Sequence, residues 1–162
     1  MKLARTLRLD ESDVNVFDLA AEPGEWAVSG GFAFSNWSED DLRGKAKQAF
    51  ANGWLGLDSF GRATFVAVTP ATAAEFSAAT QALAAHFVSA WGAPSPEAAL
   101  PVAEEELMHM RAMCEDHPEN TLLVVERALT EAGVHETFRV IPAADAQLES
   151  FAVHGSLDGP DG

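Results

Sequence analysis

Cysteine is almost missing from this sequence: Cys114 stands alone among 162 residues. A lone thiol forms no intrachain disulfide, which fits a reducing compartment. With 48% hydrophobic residues, a chain of this length fills a core without bridges or a structural metal. Basic side chains are scarce as well. Ten Lys and Arg stand against 25 Asp and Glu, a formal charge of −15. Nucleic-acid binding draws its affinity from basic clusters, so a phosphate backbone is repelled, and an anionic membrane surface is disfavoured for the same reason. No window approaches the roughly 18 consecutive apolar residues of a membrane span. From Met1 to Leu9 basic and apolar residues interleave with no apolar run behind them, a strand pattern and not a signal peptide, so a cytoplasmic setting is expected.

The charge is unevenly placed. Residues 1–81 carry 7 basic and 11 acidic side chains, whereas residues 82–162 carry 3 and 14. Such a surplus serves solubility, and it also suits a basic protein partner or a cation.

Residues 2–9 alternate with period two and predict a strand; Asp10 to Asp13 supply a turn, after which Val14 to Phe17 are expected to pair back. From Trp26, the even positions Trp26, Val28, Phe32 and Phe34 are large and the odd ones small, which predicts a second strand bulged at Gly30-Gly31. Ser38 reads as an N-cap, Glu39 to Asp41 as an acidic first turn, and Trp37 as a staple onto Leu42, in a helix ending at Asn52-Gly53. After a loop from Trp54 to Gly61, the run Arg62 to Thr69 is apolar on both faces and belongs inside a sheet. Thr72 and Glu75 form a capping box for a helix closed by Gly92. A third helix starts near Ser95-Pro96, or restarts at Pro101, and runs to Asp116. Thr121–Leu129 and Val134–Ile141 read as a hairpin that sets Arg127 opposite Glu136 and Val125 opposite Phe138. The fold expected is α+β: a two-layer sandwich with a mainly antiparallel sheet and about three helices on one face, ferredoxin-like or related. A doubly wound parallel sheet is the alternative. One domain covers residues 1–154, with a flexible tail over 155–162.

The densest set of ligand-type side chains runs from Glu104 to His117. Glu105 and Glu106 lie four and three residues before His109, and Cys114 lies three before His117, so each pair can face one ion from a helix. His109 and His117 are eight apart, or ~12 Å of helix rise, too far for one metal. Glu106-x-x-His109 is half of a di-iron bundle motif with no second copy. The plain account is a solvated acidic face over a core stripe of Ala103, Leu107, Met110 and Cys114. His86, His135 and His154 are isolated in sequence and read as packed or surface residues. There is no Gly-x-Ser-x-Gly elbow and no phosphate loop. The Gly-rich stretch 52–61 follows a helix and has no Lys; its Trp54, Leu55 and Phe60 either fill the core or are presented to a partner.

The segments Met1–Asp10, Gly24–Phe32 and Gly44–Gly56 resemble, over nearly the whole chain, an uncharacterised family of alphaproteobacterial proteins. That resemblance implies a bacterial cytoplasmic setting and an accessory role near cofactor-dependent enzymes; it assigns no catalytic residue and no cofactor. Two functions follow from the residues. The first is a non-catalytic binding or accessory module that contacts another protein, which the resemblance makes a cofactor-dependent enzyme, through Trp54, Leu55 and Phe60 or the acidic half. The second is a metal-dependent enzyme or metal carrier using Glu105, Glu106, His109, Cys114 and His117. A small-molecule pocket between sheet and helices and a homo-oligomer are both left open.

Overall fold

The structure, a computed structural model, describes residues 1–141. His154 and the expected tail 155–162 lie outside the described residues. Strand β1 (Lys2–Leu7) leads into a short helix α1 (Ser12–Val16), and β2 (Ala27–Val28) follows. Then come α2 (Gly44–Asn52), β3 (Trp54–Gly56), β4 (Arg62–Ala63), β5 (Phe65–Pro70), α3 (Ala73–Trp91), α4 (Pro96–Glu115), β6 (Leu122–Thr130) and β7 (Gly133–Ile141). Two antiparallel sheets result, ordered β1-β5-β6-β7 and β2-β3-β4. The α+β reading with an antiparallel sheet holds, and the doubly wound alternative falls because every ladder between the named strands of the described residues is antiparallel.

Register carries the alternation of the sequence directly into a buried face. Ala4 pairs with Val68, Thr6 with Val66, Val66 with Leu123, and Val125 with Phe138. That row therefore runs across all four strands on one side, and the ring of Phe138 meets His109 of α4 at 5.6 Å. Leu107, Met110 and Cys114 of α4, together with Leu83 and Phe87 of α3, join the same cluster as Trp54 and Leu55 of the smaller sheet. Both long helices start as the sequence predicts: Thr72 and Glu75 complete a capping box, and Ser95 accepts from the N–H of Ala98. α4 begins at Pro96 and runs through Pro101 without a restart. Among the described residues, no helix is long and apolar enough to cross a membrane.

Five local expectations are corrected, three of them through a tertiary contact; the loop expected over 54–61 opens with strand β3. Val14 to Phe17 do not pair back as a strand; α1 forms instead, and buried Asp13 accepts the hydroxyl of Thr64 at 2.7 Å and its N–H at 3.3 Å. The same contact breaks the expected strand Arg62–Thr69 at Thr64, so its first two residues join the smaller sheet and the rest become β5, inside the larger one. The strand expected from Trp26 stops at Val28. Gly30 turns left-handed (φ 75°) and residues 31–34 form a 3-10 turn, because the chain is folded over Arg62, whose guanidinium a Cβ on Gly30 would strike at 2.6 Å. Ser38 and Asp41 do make a capping box, but on a 3-10 turn Glu39–Asp41, and α2 begins only at Gly44. Trp37 packs on Phe34 and Phe50.

One buried acid pins the turn between β3 and β4. Glu25 accepts the N–H groups of Asp58 (2.9 Å), Ser59 (2.8 Å) and Glu22 (2.6 Å) and the hydroxyl of Ser59 (2.6 Å). Burial opposes its ionisation, yet the four donors together hold the carboxyl below its ordinary value.

Candidate functional site

The register of the β6–β7 hairpin places Arg127 directly opposite Glu136. Along β6, Leu123, Val125 and Arg127 share the inward phase, so the guanidinium is driven into the core and its side chain is 0% exposed. A buried guanidinium has five donors to satisfy. Its Nε donates to Glu136 at 2.7 Å, and Nη1 donates to the carbonyls of Phe50 (2.9 Å), Gly53 (3.0 Å) and Ala49 (3.3 Å). Nη2 donates to the carbonyl of Ser29. One side chain thus ties the end of α2, the start of β3 and the 29–31 turn to β7.

Arg62 backs this arrangement. Its Nη1 donates to Gly30 O (3.3 Å) and Gly53 O (3.2 Å), and both guanidiniums lie against the ring of Phe34, at 4.7 Å for Arg62 and 5.1 Å for Arg127. Burial and the neighbouring Arg127 charge hold Arg62 below its usual range, while Glu136 partly offsets both effects. Gly31 is needed where it stands, since a Cβ there would overlap the Glu136 carboxylate.

In front of this wall opens a cleft of about 550 Å³, bounded by the 29–35 turn, the β6–β7 turn and α4. Ser29, Phe32, Ser35, Glu106, His109 and Glu136 supply its chemistry. Glu106 and His109 sit three apart on α4 and so share the face that meets β7. Burial pushes the Glu106 carboxyl up from its ordinary value; His109 draws it down, and the like charges of Glu136 and Glu105 push it up again. No salt bridge or hydrogen bond meets the Glu106 carboxylate among the described residues. Phe32 is braced edge-on by Phe87 (5.0 Å) and Trp91 (5.6 Å) and forms the apolar wall.

The acidic segment 104–117 is divided by its helix. Glu106 and His109 reach the cleft; Glu105 is exposed outside its lining. Cys114 is fully buried in the core, where burial pushes its thiol up to about 12. His117 lies past the end of α4, its carbonyl accepting from Lys2 Nζ at 2.8 Å. Of the five, only Glu106 and His109 therefore share a site, and among the described residues no three His, Cys, Asp or Glu side chains gather to hold a metal. Trp54 and Leu55 are buried and offer no surface. Phe60 is half-buried in a left-handed backbone (φ 59°), its ring stacked 3.8 Å from His86, whose Nε2 accepts from Trp91 Nε1 at 3.3 Å. Burial, and secondarily Arg62, lower the pKa of His86. His135 is exposed on β7.

Arg127, Ser29 and Arg62 were not marked as site residues by the sequence. The one signal is a lone arginine in the apolar phase of Leu-Leu-Val-Val-Glu-Arg-Ala-Leu, at positions 122–129.

Fold and cleft define an α+β protein with an acid-lined recess over a buried arginine. The chain belongs to a family of unknown function, DUF6505, whose model matches residues 1–159, so the resemblance to an uncharacterised family is borne out. No curated protein and no solved structure matches the chain.

Proposed function

We propose that this chain is a non-catalytic binding module that receives a basic side chain of a protein partner in the cleft at Glu106. The observation that carries the reading is a half-buried carboxylate in a recess that no salt bridge or hydrogen bond meets among the described residues, with His109 its basic neighbour. A Lys side chain entering there supplies the missing charge and lays its methylenes on Phe32. The −15 formal charge steers a basic surface toward the molecule. The interaction surface accordingly moves from Trp54 and Leu55, which lie in the core, to the mouth of the cleft. Binding is favoured over catalysis because the Ser29 hydroxyl donates to Glu136 (3.4 Å), a carboxylate already engaged by Arg127, and so is not activated as a nucleophile.

The test is an amide-NMR titration with a short peptide of one Lys among Gly and Ser. Shifts confined to 29–35, 106–109 and 132–136, and weakened about tenfold or more in Glu106→Gln, are expected for loss of a desolvated charge pair. Shifts scattered over the acidic surface, or unaffected by Glu106→Gln, refute the reading.

A further inference from the structure

Resting on that reading, we infer that the cleft answers one positive charge and gains nothing from a second, because Arg127 already neutralises Glu136 and leaves Glu106, of the two lining carboxylates, as the one without an ion pair. Two carboxylates facing one recess would ordinarily suit a diamine or a divalent ion. Here they are not equivalent. Glu136 Oε2 takes the Arg127 Nε–H at 2.7 Å and the Ser29 hydroxyl at 3.4 Å, while the rest of that guanidinium is fixed by carbonyls of Ser29, Ala49, Phe50 and Gly53. The arginine cannot turn away without abandoning those oxygens. Arg62 is likewise committed to Gly30 and Gly53 oxygens. Neither guanidinium reaches Glu106, whose charged neighbours are His109, Glu136 and Glu105. Arg127 is therefore a positioning residue: it touches no guest, but it sets how many positive charges the guest brings.

n-Butylamine and 1,4-diaminobutane have the same carbon chain and differ by one charge at pH 7. In amide-NMR titrations of the whole chain at matched ionic strength, their Kd values are expected to agree within about threefold, two identical ends accounting for a factor near two. Diaminobutane or calcium bound more than about tenfold tighter would mean two uncompensated carboxylates, overturning this inference while leaving the cation-binding reading intact. No localised shift with either amine removes the reading itself, and the inference with it. Arg127→Met frees the Glu136 charge, so the folded variant should prefer diaminobutane by about tenfold, a change that a purely structural role would not produce. An unchanged preference in folded Arg127→Met overturns the assignment. Should that variant not fold, the wild-type ratio alone decides.

Discussion

A buried carboxylate, Glu25, and a half-buried one, Glu106, differ in one respect that separates scaffold from site. Glu25 has four donors within 2.9 Å and nothing left to accept; Glu106 has burial without donors. Desolvation acts on both. At Glu25 the hydrogen bonds overcome it and the ionised form is favoured; at Glu106 only His109 opposes it, and the ionised form is disfavoured. A closed network stabilises the fold, while an open one holds free energy that a guest can release.

The sharpest way to break this contrast is at the arginine that stands between fold and cleft. Arg127→Met strands Glu136 and removes the donors to four carbonyls, so a loss of about 3–5 kcal/mol in denaturant unfolding is expected. Loss under about 1 kcal/mol would show that the ion pair does not organise the region. Next in size is Glu25→Gln, which turns two of the four donor contacts unfavourable and should destabilise by about 2 kcal/mol at pH 7. Because the folded carboxyl titrates below its ordinary 4.5, this contribution is present above that value and fades as pH falls through the folded pKa. Wild-type and variant melting temperatures should accordingly converge in acid; a constant gap would contradict the assignment.

Glu106→Gln tests the opposite sign. Its folded pKa is raised, so the ionised group costs stability once pH rises past the ordinary 4.5. The variant should be a few tenths of a kcal/mol more stable than wild type at pH 7 and indistinguishable from it below pH ~4, while losing amine binding. Destabilisation at pH 7 would mean that Glu106 is a structural acid like Glu25. Smallest of all is the exposed pair Arg139–Glu126 (3.2 Å) on the same hairpin, where Arg139→Gln should leave stability within about 0.2 kcal/mol.

Much of the fold was legible because its signals are local. The capping box of Thr72 and Glu75, Gly92 at the end of α3 and the hairpin register that pairs Arg127 with Glu136 all arise within a few residues of sequence. Where the reading failed, a distant group had intervened. Thr64 gave no hint that Asp13, 51 residues away, would bend the chain out of its strand. The pattern at 26–34 looked like a strand until two arginines required the carbonyls of Ser29 and Gly30. Of the site, Glu106 and His109 were visible as a helical pair, and helix phase set Cys114 apart in the core stripe, but phase alone does not say that β7 and the 29–35 turn close over the pair.

By itself the sequence determined the periods, the caps, the register of the hairpin and the excess of negative charge, all set by short-range sterics and composition. Tertiary structure alone decided which acid would be satisfied and which left open. Arg127 gathers oxygens 74 to 98 residues distant along the chain. Such a convergence has no local signature, because it is fixed by how the elements pack and not by the propensity of any one of them.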